Sequence, residues 1–271
     1  MTRRRSKLSK AYSDPRFIAS RDARPVRILA EYLEPLARFE HFHIRDTIVF
    51  FGSARALDPV VAAGALERAR AERGDVARAE RALRLSAYYA AARELARRLT
   101  EWSKGLTDKD RRFVICTGGG PGIMEAASRG ASEAKGVNIG LTISLPNEEF
   151  ENPYVTRELA FEFHYFFIRK FWFTYLAKAV VVMPGGFGTL DELFELLTLV
   201  QTLKIQKRMP VAMFGAEYWD QVINFDTLVE WGTIDAADSA LFHRTDSVDD
   251  AFQFITRELT EYALAKPGPF L

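Results

Sequence analysis

The chain of 271 residues has one cysteine, Cys116, and four histidines. A single thiol excludes an internal disulfide and any multi-cysteine metal site. His41, His43, His164 and His243 are scattered, with no matching acids around them, so no metal cluster is expected. Net charge is also missing: 37 basic against 36 acidic side chains leave +1, and no overall field draws polyanions. Long uncharged apolar runs are absent as well. The most apolar stretch, from Tyr165 to Met183, contains Arg169, Lys170 and Lys178, whereas a membrane-spanning helix needs about 20 nearly uncharged residues. Arg3-Arg4-Arg5 is not followed by the apolar segment of a signal peptide. No internal repeat is found. These absences predict a cytoplasmic protein without a membrane partner.

What is present is ordinary globular material, 48% hydrophobic and 27% charged, which rules out a wholly disordered chain. The near-neutral total hides an asymmetry. Residues 1–24 carry eight basic and two acidic side chains, which leaves a net −5 for the rest. The expectation is a basic flexible tail over 1–24, with nucleic-acid binding unlikely, followed by one domain over 25–271. A helix is expected from Pro25, with Ile28, Leu29, Tyr32, Leu33 and Leu36 at helical spacing. Thr47 to Gly52 reads as a buried strand. Residues 59–104 read as a helical arm of two pieces, 60–73 and 75–102, the first charged and projecting. The second carries a packing stripe of Tyr88, Ala91, Ala92, Leu95 and Leu99.

From Arg112 onward, strand-like runs at 113–117, 138–145, 161–166, 179–183, 210–214 and 240–244 alternate with helical runs. The helical runs are 123–135, 167–178, 189–203, 218–231 and 248–262. This alternation predicts an α/β fold, a doubly wound, Rossmann-like and mostly parallel sheet flanked by helices, with an N-terminal helical extension.

In such a sheet, ligands bind outside the carboxyl ends of the strands, and two loops there are glycine-rich. The first is Gly118-Gly119-Gly120-Pro121-Gly122, leading into Met124 and Glu125. The second is Pro184-Gly185-Gly186-Phe187-Gly188-Thr189, leading into Glu192. Each stands between a strand and a helix, where backbone amides and a helix N-terminus suit a phosphate. Neither ends in the Lys-Ser/Thr pair of a P-loop. Ser53, in a short turn after the first strand, is placed to reach the same crevice. Thr189-x-x-Glu192 has capping-box spacing, and it also puts a carboxylate near a phosphate or ribose pocket; both readings stay open. Arg169 and Lys170 follow the strand 161–166. Arginine in the first turn of a helix opposes the dipole, so either solvent or an anionic partner, held by a bidentate contact, keeps it there.

Taken in order, Gly118-Gly-Gly-Pro-Gly-Ile-Met-Glu-Ala126, Arg169-Lys170 and Pro184-Gly-Gly-Phe-Gly-Thr-x-x-Glu192 resemble the LONELY GUY family, the cytokinin riboside 5′-monophosphate phosphoribohydrolases. The resemblance covers Thr47 to Phe214, and the long arm makes the chain similar to long-form members. It implies hydrolysis of the N-glycosidic bond of a nucleoside 5′-monophosphate to free base and ribose 5-phosphate. The implied catalytic pair is Arg169 and Glu192. The implied substrate- and phosphate-binding residues are Ser53, Gly118, Gly119, Gly120, Gly122, Met124, Glu125, Lys170, Gly185, Gly186, Gly188 and Thr189. The arginine is expected to hold the glutamate ionised. No metal or other cofactor is implied. The expected partners are a purine nucleoside 5′-monophosphate and further copies of the chain in a homodimer or higher homo-oligomer. Compact members carry Met-His-x ahead of Arg-Lys, where this chain has Phe166-Phe167-Ile168, which leaves AMP as apt a substrate as a cytokinin nucleotide. The alternative is a carrier that binds a nucleotide or cofactor in the same site without cleaving it.

Overall fold

The computed structural model describes residues 9–106, 110–144 and 152–269. Its centre is a seven-stranded, all-parallel sheet: β1 (Thr47–Phe51), β2 (Val114–Thr117), β3 (Asn138–Ile143), β4 (Ala160–Phe163), β5 (Ala177–Val182), β6 (Val211–Phe214) and β7 (His243–Thr245). The spatial order is β4-β3-β2-β1-β5-β6-β7. The chain therefore winds outward from β1 in one direction and then in the other, and the direction reverses between β1 and β5. β1, β2 and β5 are buried along their whole length, which is why they read as mostly apolar runs, β5 with the one interruption at Lys178.

The described residues form ten α-helices around the sheet: α1 (Pro15–Ala19), α2 (Arg24–His41), α3 (Pro59–Ala71), α4 (Val76–Lys104), α5 (Ile123–Glu133), α6 (Phe166–Tyr175), α7 (Phe187–Gln201), α8 (Ala216–Val222), α9 (Phe225–Glu230) and α10 (Val248–Glu258). One core layer joins alternate strand residues to Phe39 of α2, Trp172 and Phe173 of α6, and Leu193 and Leu196 of α7. The other joins the opposite residues to Leu95 and Leu99 of α4, Ala126 and Ala127 of α5, and Ile255 of α10. The stripe expected on the second arm helix is this inner face, with Ala92, Leu95 and Leu99 fully buried. α3 buries only Ala62 and Leu66.

α4 and α5 approach closely because α5 is built from small residues. A Cβ added at Gly130 would lie 2.0 Å from the Arg93 carbonyl oxygen, a backbone atom that cannot rotate away. Gly130→Ala is therefore expected to push the helices apart and cost about 2 kcal/mol, read as a lower urea midpoint.

Several boundaries differ from the sequence expectation. Residues 1–8 of the basic tail and Leu145 of the third strand lie outside the described residues. From Ala11 onward the tail is folded locally: a 3₁₀ turn (Ala11–Ser13) and α1 precede a buried Ala23. Arg27 pins this segment by donating to the Ile18 and Ser20 carbonyls at 2.5 and 2.7 Å. The strand expected from Phe113 starts one residue later, because Phe113 is left-handed with φ of 51°. The helix expected over 218–231 is two, broken where the Asn224 side chain accepts from the Thr227 amide and starts α9. The strand expected over 240–244 is a 3₁₀ helix (Ala236–Leu241) followed by β7.

β5 contains one irregularity. Thr47 pairs with Ala177 but Ile48 pairs with Ala179, so Lys178 is an extra residue in the ladder. Ala177 and Ala179 consequently face opposite core layers, although strict alternation would put them on one face.

Candidate active site

β1 and β5 run side by side, and the chains leaving them stay together beyond the ladder. Met183 N–H donates to Phe51 O at 2.8 Å, and Ser53 N–H donates to Pro184 O at 3.0 Å. The first glycine loop joins them through Ile123 N–H to Ser53 O, at 3.0 Å. Three strand ends thus meet at the point where the winding direction reverses, where a ligand crevice is expected in an open α/β sheet. A cavity of about 750 Å³ opens there. Its walls include Ser53, Arg55, Leu85, Gly118, Met124, Arg169, Phe173, the 184–190 segment, Glu192 and Tyr218.

The Pro184–Thr189 loop forms one wall. Gly186 is the N-cap of α7 and provides no side-chain cap, so the first amides of a four-turn helix are left for a ligand on the crevice side. Tyr218 supports the loop from outside, its hydroxyl donating to Gly185 O at 2.6 Å.

Glu192 and Arg169 form the opposite part of the site. The Arg169 guanidinium donates to Glu192 Oε1 at 3.3 Å, and the two side chains are only 14% and 10% exposed. The contact is a single hydrogen bond, not the expected bidentate one. It leaves Arg169 Nε buried with no hydrogen-bond partner among the described residues. The Phe166 and Phe173 rings lie 5.0 and 5.5 Å from the guanidinium carbon. Burial lowers the Arg169 pKa, and Glu192 and Asp191 oppose that shift. Burial also pushes the Glu192 carboxyl up, to about 7, although Arg169 and then Lys170 pull the other way. The expectation that the arginine would hold Glu192 well ionised is thus corrected: desolvation outweighs one long ion pair.

The capping-box reading of Thr189 and Glu192 is also settled. α7 begins at Phe187, two residues before Thr189, so Thr189 is inside the helix and Glu192 is in its second turn. Glu192 is thereby free to face Arg169 across the gap between α6 and α7.

Of the residues marked from sequence, the crevice brings together Ser53, Gly118, Met124, Arg169, Gly185, Gly186, Gly188, Thr189 and Glu192. Five others stand off its wall. Gly119 and Gly122 shape the loop: both have positive φ, and a Cβ at Gly122 would lie 2.3 Å from Ser53 O. Gly120 packs under Met124. Glu125 accepts from the Tyr89 hydroxyl at 2.8 Å, on the side of α4. Lys170 bridges Asp191 and Glu195 of α7 at 2.8 and 2.6 Å. Sequence reasoning missed Arg55, Leu85, Phe173 as a wall, and Tyr218. Tyr218 lies just past the carboxyl end of β6, so the rule that found the two glycine loops could have found it. Leu85 comes from the arm, and no local signal marks it. The Cys116 thiol is buried, which pushes its pKa up, and it packs in the core layer of α6.

Comparison with known proteins gives a consistent set of likenesses. A family model described as "Possible lysine decarboxylase" matches residues 124–255. A probable cytokinin riboside 5′-monophosphate phosphoribohydrolase from Oryza sativa subsp. japonica is 34% identical over 82 residues, 30% of this chain and 35% of that protein. The chain thus spans about a third of the length of this curated relative. Among solved structures, a structural-genomics target is 20% identical with a TM-score of 0.46, over 78% of this chain and 99% of that one. A molybdenum cofactor carrier protein from Chlamydomonas reinhardtii is 18% identical with a TM-score of 0.46, over 80% and 99%. A molybdenum cofactor binding protein from Rippkaea orientalis is 18% identical with a TM-score of 0.46, over 79% and 98%.

Proposed function

We propose that the chain, whose motifs resemble the LONELY GUY family and which is 34% identical over 82 residues to a probable cytokinin riboside 5′-monophosphate phosphoribohydrolase, hydrolyses the N-glycosidic bond of a nucleoside 5′-monophosphate, releasing free base and ribose 5-phosphate. The observation that carries this reading is the buried Arg169–Glu192 pair lining the same crevice as the uncapped N-terminus of α7.

The 5′-phosphate takes the open amides of 187–189, where the helix dipole favours an anion. The ribose then lies toward Glu192. Breaking the C1′–N bond leaves positive charge on the sugar, as in other glycosidic cleavages. A carboxylate beside C1′ stabilises that charge and accepts a proton from the attacking water. The water oxygen bonds to C1′, the electron pair of the broken bond leaves with the base, and the proton that Glu192 took from the water passes to the base, which restores the carboxylate. Arg169 orients the carboxylate, and its unused Nε–H is a donor for a substrate oxygen. The base lies among Leu85, Met124, Phe173 and Phe187, a wall of apolar and aromatic side chains that suits a planar purine.

The direct test is incubation with AMP, with adenine and ribose 5-phosphate measured as products. Their appearance in equal amounts supports the reading. AMP bound tightly and recovered intact would support the carrier alternative instead. The pH dependence follows from the raised Glu192 pKa. The base must be ionised, so kcat/KM should fall with unit slope as pH drops below about 7 and be flat above it. A profile flat from pH 5 to 8 would remove Glu192 as the base.

A further inference from the structure

The crevice contains one charge that the hydrolysis leaves unused. Among the described residues that line it, the charged ones are Arg55, Arg169 and Glu192. Arg169 and Glu192 answer each other at 3.3 Å. Arg55 has no such counterpart: its side chain is exposed, and its guanidinium makes no hydrogen bond or ion pair among the described residues. Cations on the surrounding elements are paired instead. Lys170 holds Asp191 and Glu195 at 2.8 and 2.6 Å, and Arg129 holds Asp58 and Glu133 at 2.9 and 3.1 Å.

The backbone under Arg55 is fixed, so the placing of this cation is a property of the fold. The turn Ser53-Ala54-Arg55 leaves the carboxyl end of β1 and is tied at three points. Ser53 N–H donates to Pro184 O, and Ile123 N–H donates to Ser53 O, both at 3.0 Å. Arg55 N–H closes the turn on Ser53 Oγ at 3.1 Å. The next residue, Ala56, is buried in the core layer of α4. The first glycine loop packs so tightly here that a Cβ at Gly122 would lie 2.8 Å from Ala54 Cα. Arg55 is therefore anchored two residues from the contact between its turn and the Pro184–Thr189 loop.

That loop alone is a weak match for a phosphate monoester. The N-terminus of α7 offers amides and about half a positive charge, against a phosphate that carries close to two negative ones. A guanidinium adds a full charge and a planar fork that fits two phosphate oxygens. We propose that Arg55 is the specificity-determining residue of the crevice, closing on the 5′-phosphate so that a nucleoside monophosphate is taken in preference to the free nucleoside. This rests on the reading of the crevice as a nucleotide site. The phosphate is remote from the C1′–N bond, so the contact is the same before and during bond cleavage and acts on binding, not on kcat.

Arg55→Gln removes the charge and breaks no contact within the fold. In calorimetric titration it should weaken AMP and ribose 5-phosphate about 10–100-fold, the loss of a charge-assisted contact. KM for AMP should rise by a similar factor at nearly constant kcat. Adenosine, which lacks the phosphate, should bind parent and variant alike. Arg55→Lys keeps the charge without the fork and should recover part of the affinity. Arg68→Gln, which removes an exposed charge of α3 outside the crevice lining, should change neither ligand. AMP affinity unchanged in Arg55→Gln, equal weakening of AMP and adenosine, or an equal loss in Arg68→Gln overturns the assignment. The titrations need no turnover, so the two readings separate. AMP bound but left intact by the parent removes the hydrolase and still tests Arg55, whereas a parent that binds neither AMP nor ribose 5-phosphate overturns both.

Discussion

Glu192→Gln is expected to lower kcat for AMP hydrolysis by about 10²–10⁴-fold, the range for losing a general base, with KM changed little. The amide has the size of the carboxyl, and its oxygen can still accept from Arg169 across the 3.3 Å contact. The change therefore removes a charge and a proton acceptor without opening a hole. In the proposed function the phosphate sits on the α7 amides, whose helix N-terminus has no side-chain cap, one helical turn before Glu192, so binding should survive. Fluorescence or calorimetric titration with AMP checks that half of the expectation, and product release checks the other. The residual rate of the variant should also lose its dependence on pH near 7, because the group responsible for it is gone. A variant that turned over at the parental rate would falsify the assignment of Glu192, and a variant that failed to bind AMP would point to a structural role instead.

The largest effect on stability is expected from Asp46→Ala, about 3–5 kcal/mol, the cost of removing one partner from a buried ion pair. Asp46 is fully buried between β1 and the C-terminal segment. It accepts from the Arg112 guanidinium and from the Gly268 amide at 3.0 Å, and it faces Lys178. Burial raises its pKa, with Arg112 and Lys178 opposing. Arg112 also donates to Ala263 O and Leu264 O at 3.0 and 3.1 Å, so the same cluster ties the end of the chain to the start of the sheet. Without the carboxylate, Arg112 and Lys178 lose the buried acceptor they share. Urea unfolding should show the loss as a lower midpoint with an unchanged slope. Asp46→Ala combined with Arg112→Met should lose less than Asp46→Ala alone, because the stranded charge goes with its partner. A midpoint shift below about 1 kcal/mol, the size of an exposed pair, would contradict the account.

The parallel sheet was legible in sequence because strands buried on both faces are mostly apolar runs, and β1, β2 and the part of β5 after Lys178 are of that kind. Short or edge elements were less so. β7 and the 3₁₀ helix before it have no distinguishing period, and the break between α8 and α9 depends on one side-chain cap at Asn224. At the site, Arg169, Glu192 and the 184–189 loop could be read because a strand, a glycine turn and a helix announce themselves in order. The electrostatics could not be read. Proximity of an arginine suggests a lowered carboxylate pKa, but the outcome depended on how deeply α6 and α7 bury the pair, which no local pattern encodes. Lys178 is the same lesson in another place: in sequence it only interrupts an apolar run, and its role depends on a bulge set by pairing with β1.

The position of β1 at the centre of the sheet has a consequence for how the protein is made. During synthesis β1, β2, β3 and β4 are complete before β5 exists, and one long edge of β1 stays unpaired until Ala177–Val182 appears. That edge is a row of unpaired backbone N–H and C=O groups on a strand of mostly apolar side chains, and parallel strands joined across so long a stretch of chain pair slowly. The nascent protein therefore passes through a stage that displays a sticky, half-built sheet. The crevice cannot pre-assemble at that stage, since the strand that closes the edge of β1 also delivers the loop that leads into Glu192. Pairing of β5 with β1 and arrival of the loop that leads into Glu192 are one event on the ribosome's timetable, ahead of β6 and β7, and a truncated chain ending before β5 would be prone to aggregate and would lack Glu192.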